Sequence, residues 1–235
     1  MSLVLDRELK LLLDSPRLPV IVRRIDALLA DEKRRRREFY AQIDVNDKAE
    51  FINGEVIMHS PVRLRHNVSS KRLLVLMDAF VTTRGLGYVG YEKIMVSLTR
   101  NDYEPDICYF NPAKTAALTP DQMRFPAPDL VVEVISESTE RNDRGVKFDD
   151  YAAHGVAEYW IIDPDAETLE QYRLPEGADA YHLVIKAMTG QVRSFAIPDF
   201  EIPVRAIFDP EDQPGCLADA AQRRGIVHRC AGRPN

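Results

Sequence analysis

Hydrophobic and polar positions alternate along the chain in two distinct periods. In residues 20–40, Val22, Ile25, Leu28 and Leu29 recur at helical spacing, which predicts a helix. Residues 50–59 read Glu-Phe-Ile-Asn-Gly-Glu-Val-Ile-Met-His, two short strands around Asn53-Gly54, a strong signal for a two-residue hairpin turn. A long helix is expected over residues 64–83, with Leu73, Leu74, Leu76, Met77, Phe80 and Val81 as its apolar positions and Gly85 as its stop. Residues 88–98 and 103–110 read as two strands of a hairpin with a turn at 99–102. Residues 111–127 hold three prolines and little pattern, so a loop with at most one helical turn is expected.

The next stretch has a different texture. Residues 130–135 are Leu-Val-Val-Glu-Val-Ile, apolar on both faces of a strand except at Glu133. Ser136 to Thr139 supply helix caps, a helix is expected over 141–154 up to Gly155, and residues 158–163 form a strand halted by Pro164. Strand, helix and strand at this spacing make a βαβ unit with parallel strands. Residues 171–173, 181–186 and 191–195 read as an antiparallel meander, and the segment Phe-Glu-Ile-Pro-Val-Arg-Ala-Ile-Phe-Asp closes the fold. The expected organisation is a helical N-terminal extension (1–45), one α/β domain (46–208) and a flexible C-terminal tail (209–235).

Composition leaves this picture intact: 45% hydrophobic and 29% charged residues are ordinary for a globular chain of 235 residues. A formal charge of −6 argues against a protein that grips nucleic acid with its whole surface. It still allows a nuclease, whose metal-binding carboxylates add negative charge and whose basic groups line one cleft. The basic run Lys33 to Arg37 reads either as a phosphate contact or as a solvated helix end. Cys108, Cys216 and Cys230 form no CxxC pair, so neither a disulfide framework nor a structural zinc site is expected. The charged N-terminus does not resemble a signal peptide, and no apolar run approaches the ~20 residues that span a bilayer. A cytoplasmic protein without membrane association is expected. Gly-rich phosphate loops and the HExxH and GxSxG strings are absent from the sequence.

The chemistry concentrates between residues 104 and 159. Glu133 is a carboxylate inside a core strand, and burying it unpaired costs several kcal/mol, so it needs a cation, a hydrogen bond or a proton. Asp106 opens the strand Asp-Ile-Cys-Tyr-Phe behind Pro105, whose missing N–H suits a strand start. It precedes Glu133 by 133 − 106 = 27 residues, enough for a strand to end, loop and return beside itself. Two such carboxylates make a hard oxygen site of the kind Mg²⁺ takes with water and phosphate oxygens. Lys147 follows Glu133 by 14 residues and shares a helix face with Asp143 and Tyr151. A lysine there can orient or deprotonate an attacking water, or stabilise charge on phosphorus oxygens. The plainer reading of Glu133 is a structural ion pair with Lys147, and that of Lys147 is a solvated helix lysine. Asp129 reads as a turn cap, and Trp160 as core.

The blocks Asn-Gly-Glu-Val-Ile-Met-His-Ser-Pro, Arg65-His66, Glu-Pro-Asp-Ile-Cys-Tyr-Phe, Ala-Pro-Asp-Leu-Val-Val-Glu-Val-Ile-Ser-Glu-Ser-Thr, the isolated Lys147 and Tyr-Ala-Ala-His-Gly-Val-Ala-Glu-Tyr-Trp-Ile-Ile-Asp-Pro occur in this order. In that series the chain resembles the Uma-two family of restriction-endonuclease-like proteins, over roughly residues 48–208. The resemblance implies a three-layer α/β fold with a mixed central sheet and the PD-(D/E)XK arrangement, an acid on one strand and acid-x-Lys on the next. Asp106 and Glu133 match the acids. Ile135 stands where the lysine would be, and the resemblance implies that Lys147 has taken its role from the helix. It further implies Mg²⁺ (or Mn²⁺), DNA as substrate and a homodimer. Glu55, Glu92, His66 and Tyr151 are candidate accessory residues. The competing expectations are a nuclease-like domain that binds nucleic acid or a protein partner without cutting, and a phosphoesterase for small substrates.

Overall fold

The computed structural model describes residues 7–44, 47–209 and 211. The expected tail, with Cys216 and Cys230, lies outside the described residues apart from Asp209 and Glu211. Two helices come first, α1 (Arg7–Leu13) and α2 (Leu18–Gln42). The hairpin β1 (Ala49–Ile52) and β2 (Glu55–Met58) turns at Asn53 (φ 51) and Gly54 (φ 87), the left-handed pair that a tight hairpin requires. Next is α3 (Leu64–Arg84), which ends on the left-handed Gly85. Then come β3 (Tyr88–Tyr91), β4 (Met95–Ser97), β5 (Asp102–Tyr103), β6 (Ile107–Phe110), the single turn α4 (Pro112–Thr115) and β7 (Arg124–Phe125). The βαβ unit is β8 (Leu130–Val134), α5 (Glu140–Asp143), α6 (Val146–Ala153) and β9 (Glu158–Asp163). The chain finishes with β10 (Thr168–Arg173), β11 (His182–Ala187), β12 (Gln191–Arg193), β13 (Glu201–Pro203) and a 3-10 helix, Val204–Ile207. Among the described residues no helix is long and apolar enough to cross a membrane.

Six strands form the main sheet in the order β11-β10-β9-β8-β6-β3. The β8–β9 pair is parallel and the other pairs are antiparallel, so the sheet is mixed. Leu130, Val132 and Val134 pack into one core with Leu73, Met77 and Val81 of α3 and with Ile207. Val131 and Ile135, on the opposite face, join a second core with Tyr151, Tyr159 and Ile161. Burial on both faces is why β8 is apolar throughout and why its one carboxylate stands out.

A second sheet, ordered β2-β1-β5-β4-β7, was not expected. The segments 88–98 and 103–110 do pair with each other, but each divides between the two sheets. Glu92 (φ 36) and Lys93 (φ 51) turn the first out of the main sheet after β3. The second switches between β5 and β6, around Pro105. The expected helix over 141–154 is also two helices. The break falls at Gly145, where a Cβ would stand 2.7 Å from the Arg141 carbonyl oxygen. In the third correction, β12 leaves the meander and pairs with β13. Buried Glu158 anchors that region by accepting bonds from Trp160 Nε1 (2.6 Å), Ser194 Oγ (2.7 Å) and the N–H groups of Phe195 (2.9 Å) and Ala196 (2.8 Å).

The C-terminal half of α2 is bolted to the domain. Asp102, fully buried, accepts two bonds from Arg36 (2.6 and 2.7 Å) and one each from Tyr40 (2.8 Å) and Ser97 (2.6 Å). Arg100 grips Glu32 with two more, at 2.8 and 2.7 Å. Much of the basic run is thereby consumed, since Arg34 and Arg35 also pair with neighbouring carboxylates.

Candidate active site

A cleft of about 590 Å³ opens where the two sheets diverge. Cys108 pairs with Val131 and Ile107 with Val132, so one further step of this register sets Asp106 against Glu133. Residues directly opposite in an antiparallel pair project to the same face. Asp106 is fixed from one side: its Oδ2 accepts the Val134 N–H at 2.8 Å and lies 3.4 Å from His66 Nε2. Its Oδ1 lies 3.6 Å from Lys48 Nζ.

Lys147 reaches into the cleft from α6 and is only 3% exposed. Its ammonium meets three carboxylates: Glu50 at 2.8 Å, Asp143 at 3.0 Å and Glu133 at 3.3 Å. Glu50 Oε2 lies 3.2 Å from His59 Nε2, and Glu50 Oε1 accepts the Glu104 N–H at 2.9 Å. Glu104 returns the bond by accepting the Ala49 N–H at 3.2 Å.

The cleft therefore gathers the buried carboxylates Glu50, Glu104, Asp106, Glu133 and Asp143 against the ammonium groups of Lys48 and Lys147. With every one of these carboxylates ionised, their formal balance against the two lysines is −5 + 2 = −3. Its distribution is uneven. Burial opposes ionisation of Asp106, but the His66 contact, Lys48 and the Val134 N–H overcome it and hold the carboxyl below its ordinary range. Lys147 and His59 do the same for Glu50. Glu133 goes the other way: burial, then Asp143, Asp106 and Glu50, push it well above the ordinary range despite Lys147. Lys147 stays charged, because its three carboxylates outweigh the cost of burying it. Glu133 makes the longest of the three contacts, and burial raises Asp143 as well as Glu133.

Among the described residues, no three His, Cys, Asp or Glu side chains make a ready metal cage. A magnesium-type site needs fewer, one or two carboxylates completed by water and phosphate oxygens. Hard oxygen donors on Asp106 and Glu133, in a pocket where carboxyl groups outnumber ammonium groups, fit a divalent cation.

Four of the seven residues singled out from sequence come together here: Asp106, Glu133, Lys147 and His66. Tyr151 lies beneath them, fully buried, its ring 5.2 Å from that of Tyr103. Glu55 points outward to Arg35 (2.9 Å) with 76% of its side chain exposed. Glu92 is spent on the left-handed turn between sheets and does not line the cleft. Sequence reasoning missed Glu50, Glu104, Lys48 and His59. Glu50 had a signal: like Glu133, it is a carboxylate set among apolar strand residues, Ala49, Phe51 and Ile52.

Burial, with Glu50 nearby, pushes Glu104 up to about 7. A carboxyl with a raised folded-state pKa contributes stability while protonated, and that contribution drains away as pH climbs from the ordinary carboxylate range through about 7. Glu104→Gln is therefore expected to stabilise the metal-free protein by about 2 kcal/mol above neutral pH, and by little under acid conditions. Urea unfolding in chelator across pH checks this; equal effects at both ends of the range would contradict it.

The Uma2 family model, described as "Putative restriction endonuclease", matches residues 36–205. The chain belongs to the Uma2 family. A solved structure with the same fold is titled a "putative nuclease belonging to DUF820", from Anabaena variabilis ATCC 29413. The two superpose with a TM-score of 0.62 at 17% identity, over 77% of this chain and 97% of the other. No curated protein matches the chain. The Uma2 match contains every cleft residue named above, and it begins within α2, leaving α1 and the first 18 of the 25 residues of α2 outside.

Proposed function

We propose that the cleft is the active site of a metal-dependent endonuclease that hydrolyses DNA phosphodiester bonds, with Mg²⁺ or Mn²⁺ held by Asp106 and Glu133. The observation that carries this reading is the joining of Asp106, Glu133 and Lys147 in one buried, over-acidic cleft of a Uma2 chain. When bound, such a cation supplies Lewis acidity and a lowered pKa for water.

The chain's own groups divide the remaining work. His66 and the Val134 N–H hold one Asp106 oxygen, which leaves the other to face the cleft. Lys147, clamped by Glu50 and Asp143, is a fixed positive charge that cannot swing away. It serves to orient the attacking water and to stabilise charge on the phosphorus oxygens. At the mouth, Arg63 pairs with Glu137 (3.6 Å) and Arg65 pairs with Asp165. These exposed arginines are free to exchange a carboxylate for a backbone phosphate. Cutting a duplex takes two such clefts, which a homodimer would provide.

A second reading, binding nucleic acid or a protein partner without cutting, draws support from Ile135, which stands where the family's lysine would be. Cleavage of plasmid and single-stranded DNA with Mg²⁺ or Mn²⁺ separates the two. Wild type is expected to cut, and Asp106→Asn or chelation to abolish cutting. No cleavage together with no metal binding would sink the enzyme reading, and a gel shift by that inactive protein would favour the other.

A further inference from the structure

The mouth of the cleft has two walls of different character. One is the segment that leads from β2 into α3. Between its charged residues it sets Met58, Pro61 and Val62 on the cleft lining, with Met58 59% and Val62 45% exposed. The other is the segment that follows β8, where Ser136, Ser138, Thr139 and Asn142 line the cleft with hydroxyl and amide groups. The Arg63–Glu137 pair (3.6 Å) joins the two walls at the mouth. The reactive groups lie deeper: Asp106, Glu133 and Lys147 are each less than a tenth exposed. Among the described residues that line the cleft, Lys48 and Lys147 face buried carboxylates, which leaves Arg63 and Arg65 as the arginine and lysine charges offered at the mouth.

We propose that the cleft takes an unpaired DNA strand in preference to an intact duplex, with bases against Met58, Pro61 and Val62 and the sugar-phosphate chain against Ser136, Ser138 and Asn142. An unpaired strand matches walls of unlike character. Its base faces are free to lie on apolar side chains, and its backbone accepts hydrogen bonds from hydroxyl and amide groups. A duplex hides those faces in its stack and shows only base edges in its grooves. It is then held mainly through its phosphates, on the order of six to ten of them in a firm complex. Two arginines at the mouth fall well short of that. Depth points the same way. The scissile phosphate has to reach groups set below both walls, and a single strand threads between walls that a paired one would have to straddle. The chemistry assigned to that strand rests on the nuclease reading, but the preference for it is a property of binding and is measured without cleavage.

Fluorescence anisotropy of the full chain tests the preference, with a short labelled DNA strand, free and annealed to its complement, in chelator and in Ca²⁺. Wild type is expected to bind the free strand at least about tenfold more tightly than the duplex. Met58→Ser with Val62→Ser should weaken binding of the free strand by about tenfold and so erase most of that preference. Both positions are exposed, so the circular dichroism spectrum should not change. A duplex bound as tightly as the free strand, a preference unmoved by the two serines, or no binding of either DNA would each overturn the proposal. Cleavage with Mg²⁺ keeps the two readings apart. A protein that prefers the free strand but cuts nothing removes the nuclease reading and leaves this one. A protein that binds and cuts both forms alike does the reverse.

Discussion

Lys147→Met is expected to destabilise the protein by about 4 kcal/mol, because it removes one cation from three buried carboxylates at once. For a chain of this size that is a fall in Tm of roughly 10 °C. The methionine matches the lysine stem in length, so packing changes little and the loss is electrostatic. Glu50 then keeps only His59 and its carboxyl rises, and that of Asp143, already raised by burial, rises further. A raised carboxyl stabilises the folded state only while protonated, so the deficit should widen as pH rises from the acid range to mild alkalinity. Adding Glu50→Gln removes one orphaned charge and should return about 1–2 kcal/mol, a coupling that a double-mutant cycle reads directly. Urea unfolding of the single and double variants at acid and alkaline pH measures both effects. A deficit below ~1 kcal/mol, or one independent of pH, would mean that Lys147 is not the keystone of the acid cluster.

This keystone was half legible in the sequence. Glu133 announced itself because a strand apolar on both faces has no cheap place for a carboxylate. The fourteen-residue step to Lys147 placed a cation on the following helix, and the two do meet. The third partner, Glu50, was hidden. Its strand is four residues long, and the reach of Lys147 to it crosses from one sheet to the other, a contact no local period encodes. The second sheet was illegible for a related reason. Residues 88–98 stay largely apolar on both sides of the left-handed turn at Glu92 and Lys93, with buried residues in β3 and β4 alike, so the sequence shows no break there. Binary pattern reports which residues are buried; it does not report against what. Glu92 was set aside by that turn, and Glu55 by the outward face of an edge strand. The apolar stripe of α2 was visible as a periodic face, but only the structure shows that Val22, Ile25 and Leu28 stay exposed.

Glu133→Gln is expected to separate activity from stability, which Lys147→Met does not. Burial and the neighbouring acids Asp143, Asp106 and Glu50 push Glu133 toward its protonated form more strongly than Lys147 opposes it. The amide keeps the shape and an acceptor oxygen for Lys147 while removing the ability to ionise. In chelator, the variant should be as stable as wild type or more stable by about 1 kcal/mol, with the gain growing toward alkaline pH, where the wild-type carboxyl is forced to ionise. With Mg²⁺ or Mn²⁺ the ranking should reverse. Wild type gains stability in proportion to the logarithm of metal concentration over its dissociation constant, whereas the variant, lacking one anionic oxygen ligand, gains little. DNA cleavage should fall by about a thousandfold or more. Thermal unfolding of both proteins, with and without metal, reads all three expectations beside one cleavage assay. If Glu133→Gln instead costs more than about 2 kcal/mol without metal, the carboxylate is ionised in the resting protein and serves Lys147 as a structural ion pair. The stability cost of neutralising Glu133 without metal thus distinguishes a site waiting for a cation from a salt bridge complete in itself.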